Sequence, residues 1–387
     1  MNASVASVTR GNKVSEVAAY FLRLGCIAFG GPAAHIAIMR RELVTQRKWL
    51  TDEEFVDMLG VTNLIPGPNS TEMTMHSGYH RAGWGGLLLG GLAFILPAVA
   101  IVLALAWAYV RYGDTPAGEG ILAGVGPVVL AIIIQAIWGL RTAALKTPLS
   151  MVLAALVFAV VFLFDANEIV ALFAAGAVTL AWYLARHTPG AINALLPLGL
   201  PAPLAFQAAA ESAPTVGGLF WVFLKVGALL YGSGYVLVSF LESELVDSRG
   251  WLTDQQLVDA IAVGQFTPGP LFSSATFVGY IIEGWDGAAA ATAGIFLPSF
   301  VLVMLTAPFV SRLRRLGWTG AFLDGINAAA LALMATTTII LAQETLDTAF
   351  GAALFAVGAI VLVRYNPNSA WLVLAGAALG VGWEVAS

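Results

Sequence analysis

Residues 21–68 read FLRLGCIAFGGPAAHIAIMRRELVTQRKWLTDEEFVDMLGVTNLIPGP, and residues 223–270 read FLKVGALLYGSGYVLVSFLESELVDSRGWLTDQQLVDAIAVGQFTPGP. The two stretches align without a gap at an offset of 202. They pair Gly25 with Gly227, Gly30 with Gly232, Trp49-Leu50-Thr51-Asp52 with Trp251-Leu252-Thr253-Asp254, and Pro66-Gly67-Pro68 with Pro268-Gly269-Pro270. After one gap the match resumes with Gly78-Tyr79 on Gly279-Tyr280, Gly83-Trp84 on Gly284-Trp285 and Leu96-Pro97 on Leu297-Pro298. The chain therefore divides into a first repeat over 14–187, a linker over 188–216 and a second repeat over 217–385.

The medium in which these repeats fold follows from composition. The chain is 59% hydrophobic and 11% charged, where a soluble domain carries about 25% charged residues, and its mean hydropathy is +0.85. Runs approaching the roughly 20 apolar residues that span a bilayer recur at 85–110, 119–140, 149–164, 167–185, 287–310, 320–343, 349–363 and 369–385. A soluble protein would need a polar face on such helices, and these lack one. The net charge of −5 implies no nucleic-acid partner, and the single Cys26 excludes a disulfide and argues against a metal cluster. Residues 1–13 have no apolar core of the kind a cleavable signal peptide needs. Metalloprotease, nucleophile-elbow, Walker A and dinucleotide-binding motifs are all missing, so neither an enzyme nor a cofactor is expected. A duplicated half in so apolar a chain is the signature of a secondary transporter, with its substrate between the halves.

Charge predicts how the repeats are oriented. The loop after the first motif carries Arg40, Arg41, Arg47 and Lys48, whereas its counterpart carries Glu242, Glu244, Asp247 and only Arg249. Basic short loops mark the cytoplasmic side, so 40–54 is expected inside, 242–254 outside, and the repeats inverted. Inversion requires an odd number of crossings between these loops, yet six apolar segments lie there. The segment 55–80 is broken by Ile65-Pro66-Gly67-Pro68-Asn69 and is read as dipping in and returning. The remaining charges then agree, with Arg81, Arg141, Lys146, Arg186, Arg312 and Arg364 inside and Glu119, Glu168, Glu283 and Asp347 outside; Arg10, Lys13 and Arg111 are the exceptions. The expected fold is an all-α polytopic membrane protein of two inverted-topology repeats. It has about ten transmembrane helices plus two re-entrant helical hairpins, 55–80 and 257–282, with Pro-Gly-Pro tips. A Pro kink in a spanning helix is the alternative for each hairpin.

Broken backbone at membrane depth is tolerated where it is buried in protein or lines a cavity, so the breaks point to the site. Gly30-Gly31-Pro32 interrupts the first helix and Gly232-Ser233-Gly234 its counterpart; small-residue helix packing is the other reading. Pro68 and Pro270 suit the first position of a new half-helix, followed by Asn69, Ser70 and Thr71 in one copy and by Ser273 and Ser274 in the other. The free N–H groups and positive dipole of such an end form an anion site. Asn63 and Gln265 precede the turns at equivalent positions. Arg23 and Lys225 are equivalent cations, each either facing inward towards an anion or snorkelling to the interface. Glu72 has Ser274 as its counterpart and forms an i, i+4 pair with His76, one turn before His80. Proton coupling, a metal site without an evident third ligand, and a structural pair remain open for Glu72 and His76. His35 faces the same ambiguity, with Leu237 opposite.

Phe29-Gly30-Gly31-Pro32-Ala33-Ala34-His35-Ile36, Trp49-Leu50-Thr51 and Pro66-Gly67-Pro68-Asn69-Ser70-Thr71-Glu72 resemble the chromate ion transporter family of the long-chain, two-domain type, as do Gly250-Trp251-Leu252-Thr253 and Thr267-Pro268-Gly269-Pro270. The resemblance covers residues 15–385. It implies two homologous domains of opposite orientation, chromate efflux across the bacterial inner membrane, chromate resistance, and sulfate as an analogue that competes or exchanges. The expected partners are chromate, its analogue sulfate and the lipid bilayer, with a homodimer as a possible assembly. The second copy departs at Ser233-Gly234 and at Leu271-Phe272-Ser273-Ser274, so the halves are expected to do different work. A sulfate or other oxyanion transporter of the same fold, and a membrane enzyme using Glu72, His76 and His80, are the rival readings.

Overall fold

The computed structural model describes residues 2–29, 31–113, 115–164, 166–187, 213–231, 236–310, 317–365 and 367–386. Gly30, Gly232, Ser233, Gly234 and most of the expected linker lie outside these residues. Among the described residues all regular structure is helical. The first half contains α1 (Asn2–Ile27), α2 (Gly31–Met39), α3 (Asp52–Thr62), α4 (Asn69–Tyr112), α5 (Pro116–Ala144), α6 (Pro148–Phe164) and α7 (Glu168–His187). The second half contains α8 (Val216–Leu229), α9 (Leu237–Leu241), α10 (Asp254–Phe266), α11 (Ser274–Thr306), α12 (Gly317–Thr345), α13 (Ala349–Tyr365) and α14 (Ser369–Ala386). Five helices are long and apolar enough to cross a membrane: Asn69–Tyr112, Pro116–Ala144, Glu168–His187, Leu271–Phe309 and Thr319–Gln343. Shorter apolar helices accompany them.

The repeat visible in the sequence is also a repeat of elements. α1 and α8 end at Ile27 and Leu229, and α3 and α10 begin at Asp52 and Asp254. After α2 and α9 the chain widens into π-helical turns, Arg40–Gln46 and Glu242–Asp247. The shared Trp-Leu-Thr-Asp motif is a helix start. Thr51 accepts from Glu54 N at 3.2 Å while Glu54 accepts from Thr51 N at 2.8 Å. Thr253 and Gln256 repeat this capping box at 3.2 and 3.0 Å, and such a cap is worth about 1 kcal/mol. The Thr51 backbone N–H, helped by its hydroxyl and by His80, holds the exposed Glu54 carboxyl below its ordinary range. A lowered carboxyl pKa stabilises the fold at neutral pH, and that contribution fades as pH falls through the lowered value.

Each Pro-Gly-Pro turn is the tip of a helical hairpin. Asn69 Nδ2 donates to Asn63 Oδ1 at 2.7 Å across the first tip, while His80 Nε2 meets Glu54 Oε1 at 3.2 Å at the far end. The start of α3 and the end of the following helical limb therefore lie side by side. α4 then reverses at Gly83 (φ 66°, ψ −150°), and α11 does so at Gly284 (φ 61°, ψ −144°). The limbs on either side touch: a Cβ on Gly78 would fall 2.2 Å from Gly86 O, and Thr276 Oγ1 lies 2.7 Å from Thr292 Oγ1.

The two halves interlock. The last helix of each packs on the long helix of the other, α14 on α5 and α7 on α12. Small residues allow the approach: a Cβ on Gly124 would fall 2.0 Å from Gly376 O, and one on Gly325 would fall 2.2 Å from Ala175 O. The main apolar core runs through this junction, from Val125–Ile133 through Phe223, Phe240, Leu257 and Phe277 to Ile326 and Leu333. The block formed by α1, α2, the first π-helical turn, α3 and both limbs of α4 instead has a cluster of its own, around Phe21, Met39, Leu43, Phe55, Met73 and Phe94.

Candidate functional site

The broken elements of the two halves meet at the centre of the molecule. Gly67 N donates to Leu230 O at 2.8 Å, and Gly269 N donates to Ala28 O at 3.0 Å. These bonds are the same bond made twice, because Gly67 and Gly269, and likewise Ala28 and Leu230, are equivalent. Each Pro-Gly-Pro tip thus caps the open C-terminal end of the first helix of the opposite half, satisfying a carbonyl that the break leaves without a helical partner. Glycine is required there by φ of 138° at Gly67 and 97° at Gly269. Pro66, Pro68, Pro268 and Pro270 are buried around the crossing. His35 adds Nε2 to the same Ala28 carbonyl at 2.9 Å.

Directly behind the first tip lies Glu72, fully buried in the first turn of α4. A Cβ on Gly67 would fall 2.3 Å from Glu72 Oε1 and 2.2 Å from Ser299 Oγ of α11. The Glu72 carboxyl therefore lies against the turn, beside the Ser299 hydroxyl and within electrostatic reach of Tyr231, both of the other half. His76, one turn on, is 1% exposed, and neither ring nitrogen has a hydrogen-bond partner among the described residues. Ser70, Thr71, Ser273 and Ser274 are buried in the corresponding first turns.

A cavity of about 770 Å³ opens beside this centre. Of the residues expected from sequence, Gly31, Pro32, Asn63 and Asn69 line it. α5 contributes Gln135, Ala136 and Gly139, α12 contributes Leu323, Asp324 and Asn327, and Lys146 and Asp324 close an ion pair of 2.8 Å at its wall. Four carboxamides, one cation and one anion thus face a single space. Sequence reasoning did not single out Gln135, Asn327 or Asp324, and used Lys146 only as a topology marker. Gln135, Asp324 and Asn327 are isolated polar residues within apolar helices, and Lys146 stands just beyond the end of α5.

The other expected residues lie elsewhere. Arg23 is exposed and does not line the cavity. Lys225 is buried in an ion pair with Glu244, which also holds Arg249 Nη1 at 2.6 Å. Gln265, the counterpart of Asn63, is 9% exposed, whereas Asn63 is open. Gly30, Gly232, Ser233 and Gly234 lie outside the described residues. A further buried carboxylate, Asp259 of α10, accepts from Tyr109 Oη at 2.9 Å and Gln255 Nε2 at 3.0 Å in the wall of a second, apolar cavity of about 450 Å³.

The cavity marks a difference between the halves. α10 packs against α5, α12 and α14, while α3 has no comparable contact with α12, α5 or α7. On the packed side, Thr337 Oγ1 donates to Glu242 Oε2 at 2.9 Å, tying α12 to the π-helical turn. The counterparts are Ala136, which lines the cavity, and Arg40, which bonds Asp52 at the surface. The second hairpin is packed between α5 of the first half and α12 and α14 of its own, with only the small apolar cavity beside it; the first hairpin has its tip on the large cavity that holds the carboxamides.

Apolar helices long enough to cross a bilayer define an integral membrane protein. The chain belongs to the chromate transporter family, whose model matches residues 15–182 and 217–381. It is 34% identical to the chromate transport protein of Cupriavidus metallidurans over 94% of this chain and 91% of that protein. It is 32% identical to the chromate transport protein of Pseudomonas aeruginosa, over 96% and 92%. With the probable chromate transport protein of Synechococcus elongatus the identity is 31% over 96% of both. No solved structure matches.

Proposed function

We propose that this protein is a secondary active transporter that exports chromate across the bacterial cytoplasmic membrane by alternating access. Its two halves are inverted repeats, and 55–80 and 257–282 are re-entrant hairpins whose tips cross at the bilayer centre. The observation that carries the reading is the asymmetry of the hairpins around that crossing. Two equivalent halves with unequal surroundings, one hairpin packed on α5, α12 and α14 beside a small apolar cavity and the other with its tip on the large cavity that holds the carboxamides, suit one state of an alternating-access carrier, and exchange of the two packings gives the other state. Chromate is a tetrahedral dianion, and the carboxamides of Asn63, Asn69, Gln135 and Asn327 supply donors for it without fixed charge. The inside-negative potential favours its exit by about 2.3 kcal/mol per charge per 100 mV.

Glu72 and His76 are the coupling residues in this reading. The Glu72 carboxyl lies against the first tip, so a dianion approaches that tip only while the carboxyl carries a proton. Glu72→Gln is expected to preserve chromate binding while flux in proteoliposomes loses its response to an imposed pH gradient. A mutant that still accelerates with the gradient as the wild type does would remove Glu72 from coupling.

The reading as a whole is tested by chromate flux from proteoliposomes under an imposed potential, with sulfate as competitor. Chromate movement that reverses with the sign of the potential supports it. Uptake of sulfate untouched by excess chromate would favour a sulfate carrier of the same fold.

A further inference from the structure

We propose that Lys146 is the cation that receives the transported oxyanion, and that Asp324 is its internal competitor, released when the oxyanion enters. This inference deepens the transport reading and rests on it. Among the described residues lining the large cavity, Lys146 is the cation and Asp324 the anion. The pair bridges the halves, from the end of α5 to α12, at 2.8 Å. Side-chain exposures of 53% and 35% leave both groups open to an incoming ion, which separates them from the buried Lys225–Glu244 pair. Asp324 and Asn327 lie one turn apart on α12, and Gln135 faces the same space from α5. A dianion that binds Lys146 is then within reach of the carboxamides that lead inward to Asn69.

Two physical points support exchange over a fixed tie. A solvent-exposed ion pair contributes little to stability, typically below about 1 kcal/mol, so its position in the cavity wall calls for another role. A doubly charged oxyanion offers an ammonium more charge and more acceptor oxygens than a single carboxylate does. The arrangement is also one-sided. At the offset of 201 that relates α5 to α12, the counterparts of Lys146 and Asp324 are Asp347 and Ala123, so no equivalent pair exists on the packed side. In the topology read from loop charge, Lys146 lies at the cytoplasmic mouth, where an exporter collects its cargo.

The test is titration of the purified full-length protein with chromate, and separately with sulfate, by calorimetry. Lys146→Gln is expected to weaken binding at least tenfold and Asp324→Asn to tighten it several-fold. A structural tie predicts the same direction for both, because both break the same pair. Opposite shifts therefore support the inference, and shifts in one direction, or none, overturn it. If Lys146→Gln fails to fold, Asp324→Asn decides alone: tighter binding supports, unchanged or weaker binding overturns. Asn69→Ala and Asn327→Ala separate the two readings. Weakened binding in these variants, with Lys146 and Asp324 silent, overturns this inference and leaves the cavity as the pathway. A wild-type protein that binds neither anion overturns both.

Discussion

Replacing Gly67 by alanine is expected to reduce chromate flux more than tenfold and to lower the melting temperature. The residue stands at φ 138°, in a region an L side chain occupies at a cost of about 1–3 kcal/mol. Its Cβ would also fall 2.2 Å from Ser299 Oγ and 2.3 Å from Glu72 Oε1, so the side chains behind the tip must move. Moving Glu72 alters the group assigned to coupling, and shifting the turn disturbs the bond from Gly67 N to Leu230 O. Gly269→Ala is expected to do less harm, because its Cβ meets Ala98 Cβ at 2.9 Å and otherwise only ordinary contacts. Gly217→Ala, whose Cβ meets nothing within 4 Å, serves as the control. Equal flux in the Gly67 and Gly217 variants would remove the first tip from the pathway.

Gly124→Leu is expected to destabilise the protein by about 3 kcal/mol, at the upper end of overpacking costs, and to separate the halves. A Cβ at this position already falls 2.0 Å from Gly376 O and 2.9 Å from Gly380 Cα. These are backbone atoms, so α5 and α14 must part to admit any side chain. The two helices belong to different halves, and without a hydrophobic force between helices in lipid their association depends on such close contact. Thermal unfolding followed in detergent reads the effect. A melting temperature within a degree or two of wild type would mean that this contact does not hold the halves together.

Much of the architecture is legible in the sequence. Duplication, a glycine-rich break at the end of α1 and the Pro-Gly-Pro turns follow from local chemistry, because prolines and glycines act on their immediate neighbours; the capping boxes at Thr51 and Thr253 emerged only with the structure. The site was legible only in part. Asn63, Asn69, Gly31 and Pro32 were marked by lying beside breaks, and they line the cavity. Arg23 and Lys225 looked alike in the alignment, yet one is exposed and the other is held by Glu244. Pairing depends on residues 19 positions away in the chain, and a repeat alignment does not show it. Gln135, Asn327 and the Lys146–Asp324 pair were equally hidden, because helices from opposite halves bring them to one space.

Sequence by itself determined that this chain is an all-helical membrane protein written twice, since apolar length and local backbone chemistry decide those properties. Only the tertiary structure decided that each Pro-Gly-Pro tip caps the broken helix of the opposite half, and that the large cavity with its carboxamides opens at the first tip while the second hairpin has a small apolar one. Two related sequences specify the same elements, but local chemistry does not specify which copy is enclosed. That choice belongs to long-range packing, where α10 meets α5, α12 and α14 and the first tip opens on the large cavity.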